Sequence, residues 1–138
     1  MRALVQRVSR ASVSVDGTEV ARIGPGMVVL LGVGKGDGEA QARKVADKLR
    51  KLRIFADGEG RMNEALGERE VLCISQFTLY GDTRKGNRPS WTEAAAGEQA
   101  EPLYDLVCDE LGARKGVFGA DMKVELAGDG PVTLLVEA

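Results

Sequence analysis

The chain has 138 residues, a formal net charge of −2 and no histidine. Its length fits one domain with a core of its own, and the near-neutral charge does not indicate a general nucleic-acid binder. The lack of histidine excludes a Ser-His-Asp triad, so any chemistry must come from hydroxyls, carboxylates, backbone groups or the substrate.

The two cysteines, Cys73 and Cys108, lie inside apolar runs and lack CxxC spacing. This pattern favours buried, reduced thiols, and the sequence predicts no metal and no other cofactor. The first residues lack the apolar core of a signal sequence, and the longest apolar run, residues 27–31, is too short to span a membrane. We therefore expect a cytoplasmic protein with no membrane partner.

The first quarter of the chain is rich in apolar and β-branched residues, which is typical of strands. Residues 11–15 alternate in polarity, and Asp16-Gly17 supplies a two-residue hairpin turn after them. Residues 27–33 are apolar on both faces, which predicts a central strand covered on both sides. The strands expected here are residues 3–8, 11–15, 18–23 and 27–33.

The rest of the chain alternates between helical and strand patterns. Asp37 is the expected N-cap of a helix that runs to about Arg50, because its apolar residues form one stripe. A second amphipathic helix is expected from about Gly97 to Leu111, with Gly112 as its C-cap. The remaining strands are expected over residues 53–55, 71–79, 122–126 and 132–136.

The order of these elements predicts an α/β fold. We expect a single compact domain over residues 1–138, with mixed β-sheets and two helices packed on one side, in β/β/α layers. Several strands would lie at sheet edges and need covering, which favours a homodimer.

A short polar segment, Ser75-Gln76-Phe77-Thr78, stands inside the strand expected over residues 71–79. Strand alternation would place Gln76 and Thr78 on one face, as a platform of amide and hydroxyl groups. The segment is either a solvated edge strand or part of a site, and spacing alone does not decide between them. Thr78 is a candidate nucleophile, although no histidine or lysine partner is visible to activate it.

A second unusual segment is Gly130-Pro131, in the turn between the last two expected strands. Most X-Pro bonds are trans, so an ordinary β-turn is the default expectation. A cis bond would instead present adjacent carbonyl oxygens in one direction, as a rigid wall against a substrate substituent.

Together, Ser75-Gln76-Phe77-Thr78-Leu79 and Gly130-Pro131-Val132-Thr133 resemble the D-aminoacyl-tRNA deacylase family. The likeness extends over nearly the whole chain, and the order of the shared segments makes it very specific. These segments include Leu4-Val5-Gln6-Arg7-Val8, Arg53-Ile54-Phe55, Arg88-Pro89-Ser90 and Phe118-Gly119-Ala120-Asp121-Met122. Gly128 departs from the family pattern, in which Asn commonly stands there, and this departure predicts a looser turn.

The resemblance implies a homodimeric hydrolase that acts in translation quality control. Its substrates would be D-aminoacyl-tRNA and glycine mischarged on alanine tRNA, whose ester bond to the terminal adenosine is hydrolysed. Gly130 and Pro131 would form a cis bond inserted into the partner subunit's site, where their carbonyl oxygens exclude an L side chain, and Arg7 would brace them.

The resemblance also implies roles for the remaining site residues. The tRNA 2′-hydroxyl would assist the attacking water, while backbone N–H groups around Phe77 hold the oxyanion. Thr78 would then bind and orient the substrate, and the alternative is that Thr78 is the nucleophile. The alternative function of the whole protein is a non-catalytic tRNA-binding module. The catalytic pocket would comprise Ser75, Gln76, Phe77 and Thr78, the further substrate contacts Met122, Val132 and Thr133, and the tRNA phosphate contacts Arg84, Lys85 and Arg88.

Overall fold

The computed structural model describes residues 1–138, which form a mixed sheet, a small hairpin and two α-helices. The strands are β1 (Arg2–Val15), β2 (Thr18–Ile23), β3 (Gly26–Gly32), β4 (Phe55–Ala56), β5 (Met62–Glu64), β6 (Glu70–Ser75), β7 (Arg114–Lys115) and β8 (Lys123–Glu137). The helices are α1 (Glu39–Lys51) and α2 (Gly97–Leu111), and a short 3₁₀ turn covers Phe77–Tyr80. Neither helix is long and apolar enough to cross a membrane.

β1 organises the sheet. On one side, its first half pairs with β3 and its second half with β2; on the other side, β8 pairs with it along nearly its whole length. The two strands expected over residues 3–8 and 11–15 are therefore one continuous strand, and the prediction of a break was wrong. The break does not form because β8 supplies ladder partners through both halves, including Ala127 opposite Arg10.

Beyond β3 the sheet continues with parallel partners, β6 and then β7, so it is mixed as predicted. β3 lies between β1 and β6, and Met27, Val28 and Val29 are fully buried, which confirms the central strand. β2 curls back towards β6 and β7, which nearly closes the sheet. The α/β class, the mixed sheet and the two helices are confirmed.

Apolar side chains form two clusters, one on each face of the sheet. The larger cluster joins the helices to the sheet, with Val45 of α1 and Val107 of α2 packed together with Val29. The smaller cluster lies inside the curled sheet and contains no helical residue. Cys73 and Cys108 belong to the larger cluster as free, buried thiols, as predicted.

The start of α1 differs from the prediction. Asp37 is not its N-cap, because its carboxylate accepts the Gly34 N–H at 2.7 Å and lies 2.7 Å from the Met1 α-ammonium. Gly38 is the N-cap, and its N–H is accepted by Gln41 Oε1 at 2.9 Å. The bounds of α2 match the prediction, and Gly112 ends it with a φ of 60°, as a C-cap glycine does.

A bulge interrupts the pairing of β8 with β1 near the C-terminus. Val8 pairs with Gly128 and Gln6 pairs with Thr133, so residues 129–132 lie opposite Arg7 alone. The strands expected over residues 122–126 and 132–136 are thus two parts of β8, and Gly130-Pro131 lies in the bulge between them. A bulge of this size pushes the backbone out of the sheet.

The strand expected over residues 53–55 is shorter than predicted, because β4 begins at Phe55. The two preceding residues form hydrogen bonds between an arginine side chain and a backbone carbonyl instead of continuing the ladder. Arg53 Nε donates to Asn63 O at 2.9 Å, and the Ile54 carbonyl accepts Arg7 Nη1 at 2.7 Å.

Candidate active site

A cavity of about 540 Å³ opens where the end of β6, the start of α2 and the loop before β8 meet. Its lining is mostly apolar, with Ser75, Gln76 and Asp121 as its polar side chains. The residues around it are Val33, Ile74, Ser75, Gln76, Phe77, Ala95, Gly97, Ala100, Phe118, Gly119, Ala120, Asp121, Met122 and Val124. A concave apolar site with a few polar groups is the usual form of a small-molecule pocket.

The polar segment of the sequence forms one wall of this cavity, but not as a strand. β6 ends at Ser75, the Gln76 N–H donates to Leu31 O at 2.8 Å, and the chain then turns into the 3₁₀ helix. The turn packs over Gly32, where a Cβ would lie 3.0 Å from Gln76 O and 3.2 Å from Leu79 Cβ. The strand expected over residues 71–79 is therefore wrong beyond Ser75.

The side chains of Gln76 and Thr78 are neighbours, as expected, but not because they lie on one face of a strand. In the tight turn their side chains are neighbours, and Gln76 Nε2 donates to Thr78 Oγ1. An amide group does not accept a proton at neutral pH, so this contact orients the Thr78 hydroxyl without activating it. Phe77 is the first residue of the 3₁₀ turn, and its N–H therefore has no acceptor within the turn.

The Gly130-Pro131 segment forms a second feature, separate from the cavity of its own chain. The peptide bond between the two residues is cis, and Gly130 has a φ of +132°. Both residues are exposed, and neither lines the cavity. Val132, next in the chain, is half-buried and packs against the larger apolar cluster, and Thr133 Oγ1 lies 3.5 Å from Gln6 Nε2.

Arg7 contacts this bulge directly. Its Nε donates to Asp129 O at 3.0 Å and lies 3.4 Å from Asp129 Oδ2, while Nη1 donates to Ile54 O at 2.7 Å. The Arg7 side chain is only 15% exposed. The planar guanidinium suits this double contact, because its N–H groups diverge in a fixed fork.

The basic loop, residues 84–88, precedes α2 in the chain, and none of its residues lines the cavity. Arg84 pairs with Asp82, with Nη2 2.6 Å from Oδ2, and these hydrogen bonds lower the pKa of Asp82 to about 2. Lys85 and Arg88 are exposed and form no ion pair within the chain. On α1, by contrast, Arg43 and Lys51 are paired with Glu110 and Asp47, which reduces the free charge of that basic face.

The structure thus brings Ser75, Gln76, Phe77 and Met122 together around one cavity, with Thr78 beside it. Arg7, Gly130 and Pro131 meet elsewhere, at the bulge.

The sequence prediction missed the other wall, Phe118-Gly119-Ala120, although this segment was part of the family resemblance. The signal in the sequence was the glycine at position 119. In the structure, Gly119 has a φ of +77° and makes the turn of the loop that lines the cavity. Trp91, which pairs with Phe77 at a ring-centroid distance of 5.2 Å, was missed as well.

Comparisons with known proteins identify the family of the chain. The family model of D-Tyr-tRNA(Tyr) deacylase matches residues 4–137. A D-aminoacyl-tRNA deacylase of Heliobacterium modesticaldum is 56% identical, over 99% of this chain and 96% of the relative. One of Myxococcus xanthus is 54% identical, over 100% of this chain and 95% of the relative.

Two solved structures share the fold. The c-Myc DNA unwinding element binding protein superposes with a TM-score of 0.94 at 38% identity, covering 100% of this chain and 99% of that one. A probable eukaryotic D-amino acid tRNA deacylase gives a TM-score of 0.87 at 18% identity, over 99% and 98% of the two chains, which supports the fold alone. The chain belongs to the D-Tyr-tRNA(Tyr) deacylase family, and with it to the hydrolases that remove acyl groups; both predictions made from the sequence are confirmed.

Proposed function

We propose that the protein hydrolyses the ester bond of D-aminoacyl-tRNA and releases a free D-amino acid and tRNA. The observation that carries this proposal is the full-length identity of 56% and 54% to curated D-aminoacyl-tRNA deacylases. The cavity beside Ser75, Gln76 and Phe77 supports it, because its volume of about 540 Å³ can take an aminoacyl ester and part of a nucleoside. A tRNA substrate also fits a cytoplasmic enzyme.

The reaction has to proceed without a histidine base. Thr78 Oγ1 is bound by the Gln76 amide, and the chain has no histidine to take its proton. We therefore assign the proton-relay role to the 2′-hydroxyl of the terminal ribose, which lies next to the ester in any aminoacyl-tRNA. We assign the developing oxyanion to the Phe77 N–H, which has no acceptor within the 3₁₀ turn, and the orientation of the substrate to Thr78.

The chirality check is assigned to Gly130 and Pro131 of a second subunit. Because the bulge does not line the cavity of its own chain, the motif must enter the partner's site to act. The backbone carbonyls of these two exposed residues would repel an L side chain at short range, while a hydrogen atom or a D side chain would point elsewhere. On this basis glycine mischarged on alanine tRNA is a substrate too.

A homodimer is supported by the exposed state of β8. This strand pairs with β1 on one side only, and its other edge carries unpaired backbone groups. Four of its apolar side chains are exposed: Val124, Leu126, Leu134 and Leu135. An apolar edge strand of this length is normally covered, and a second copy of the chain would cover it and deliver the bulge to the partner's cavity.

The free cations of the basic loop are proposed to contact tRNA phosphates. Lys85→Ala and Arg88→Ala should each weaken tRNA binding and lower the slope of log affinity against log salt by about 0.7–0.9. Lys44 and Lys48 are the matched controls, because both are exposed on α1 and neither forms an ion pair. Equal effects at the control lysines would show that the loop is not the tRNA surface.

Two tRNA substrates test the proposed reaction. The purified protein should release D-tyrosine from D-tyrosyl-tRNA, and should do so far more slowly when the terminal adenosine lacks its 2′-hydroxyl. Equal rates of D-tyrosine release with and without the 2′-hydroxyl would refute substrate assistance, while the proposed deacylase activity would stand. No release with either substrate, together with tRNA binding, would instead establish the non-catalytic tRNA-binding module.

A further inference from the structure

Two aromatic side chains are exposed side by side at the rim of the cavity. Trp91 is 41% exposed and Phe77 is 55% exposed, and their rings pack edge to face with centroids 5.2 Å apart and an angle of 67°. Large aromatic groups usually bury their faces, since each carries a large apolar surface. The pair is therefore a small, open aromatic surface beside the proposed site.

The indole is held in place by the backbone beneath it. A Cβ at Gly81 would lie 2.7 Å from Trp91 Cζ3, so the ring occupies the space that this glycine leaves at the end of the 3₁₀ turn. The chain on the other side is fixed as well, because Asp82 and Ser90 exchange backbone hydrogen bonds of 2.8 and 2.9 Å. Trp91 follows this bridge directly and has a defined orientation before any ligand arrives.

The segment closed by this bridge is the basic loop with Lys85 and Arg88, both without an ion pair. Free cations next to open aromatic rings are the combination that binds single-stranded nucleic acid: the cations contact phosphates and the rings stack on bases. An apolar protein partner would not need the cations, and a double helix would not present free base faces.

We propose that Phe77 and Trp91 form a stacking platform for the unpaired nucleotides that precede the terminal adenosine of tRNA. The inference rests on the proposed function and adds Trp91 as a substrate-binding residue. Phe77 lines the cavity and touches Trp91, so a strand whose last nucleoside enters the cavity passes over the indole. Stacking requires no particular base, and the platform therefore accepts all tRNAs with a free 3′ end.

Trp91 is the only tryptophan of the chain, so its fluorescence reports on the platform directly. Uncharged tRNA with an intact 3′ end should quench or shift this fluorescence, and the same tRNA without its last three nucleotides should not. An equal signal with both tRNAs would overturn the proposal.

Kinetics give the second test. Trp91→Leu should raise the KM for D-tyrosyl-tRNA roughly 5- to 150-fold, the range for loss of one base stack, with little change in kcat. Trp91→Phe should recover most of the loss, because it restores an aromatic face. Val20→Ala, an equally exposed apolar position on β2, is the control and should leave KM unchanged.

A small substrate separates the two proposals. D-Tyrosyl-adenosine carries the ester without the preceding nucleotides, so wild type and Trp91→Leu should hydrolyse it equally well. If the wild-type protein hydrolyses neither D-tyrosyl-tRNA nor D-tyrosyl-adenosine, the proposed function fails. If it hydrolyses both, and Trp91→Leu keeps the wild-type KM for the tRNA ester, the platform fails while the deacylase stands.

Discussion

The guanidinium of Arg7 holds the backbone of Asp129, with Nε 3.0 Å from the Asp129 carbonyl oxygen. The same group reaches Ile54 O through Nη1 at 2.7 Å, so one side chain ties the bulge to the segment before β4. This contact fixes the base of the exposed Gly130-Pro131 motif from one side. The position of the motif thus depends on an arginine that lies directly opposite it in the sheet.

We predict that Arg7→Lys lowers both activity and stability. An ammonium group cannot make the two divergent contacts of the fork, and loss of one such hydrogen bond costs about 1.5–3 kcal/mol. Urea unfolding and the rate of D-tyrosyl-tRNA deacylation measure the two effects. Arg10→Lys, at an exposed position of the same strand, is the control, and an equal loss there would remove the special role of Arg7.

Gly130 and Gly128 provide a matched pair within the bulge. A Cβ at Gly130 would lie 2.9 Å from Val132 N and 3.0 Å from Arg7 Nη2, at a φ of +132° that other residues rarely adopt. A Cβ at Gly128 would meet nothing within 4 Å.

Gly130→Ala should therefore reduce D-tyrosyl-tRNA deacylation about 5- to 150-fold, given a conformational cost of about 1–3 kcal/mol. Gly128→Ala should leave the rate nearly unchanged, and Gly128→Asn, which restores the common family residue, should be accommodated as well. Similar activity of the two alanine variants would show that the geometry of Gly130 is not required.

Thr78→Ala should keep measurable activity. Its hydroxyl is oriented by the Gln76 amide and has no base, so its removal takes away one neutral hydrogen bond and lowers kcat by no more than about tenfold. Single-turnover rates of Thr78→Ala and Thr78→Ser make the comparison. Complete loss in the alanine variant, with activity kept by serine, would establish Thr78 as the nucleophile.

The two tyrosines should resist ionisation in the folded protein. Burial, with a smaller effect of Asp37, raises the pKa of Tyr80 to about 12. Burial, followed by the nearby Cys108 and Cys73, also raises the pKa of Tyr104. Because these phenols ionise more easily when unfolded, near pH 10, the stability they contribute is complete below pH 10 and declines as the pH rises towards 12.

Absorbance of tyrosinate should therefore stay low up to about pH 11 while circular dichroism shows a folded protein, and should rise near pH 10 in denaturant. In the variant Tyr80→Phe, Tyr104 is the one remaining tyrosine, so the tyrosinate absorbance of this variant belongs to Tyr104. Ionisation of half the tyrosines by about pH 10.5 in the folded state would contradict the burial argument.

Much of the fold could be predicted because local patterns match tertiary surroundings. The helix over Gly97–Leu111 has a continuous apolar stripe and a glycine at its end, and both survive in the structure. The run over residues 27–33 is apolar on both faces because β3 is central. Errors arose where distant residues decide, as at Asp37, whose carboxylate binds the Met1 α-ammonium instead of capping α1.

The candidate site was predictable through its motifs rather than through its shape. The sequence indicated Ser75-Gln76-Phe77-Thr78, but the strand pattern hid the 3₁₀ turn, which depends on the space above Gly32. Phe118-Gly119-Ala120 and Trp91 join the site only through tertiary packing against β6 and Phe77. Gly119 marks a turn in the first of these segments, but no local pattern shows that the turn reaches the cavity.

The most direct test of the account is deacylation of matched D-tyrosyl- and L-tyrosyl-tRNA by the purified protein. We predict rapid loss of the D ester and an L ester that decays no faster than without enzyme. Equal loss of both esters would contradict the chirality check assigned to Gly130 and Pro131. Stability of both esters would contradict the deacylase itself.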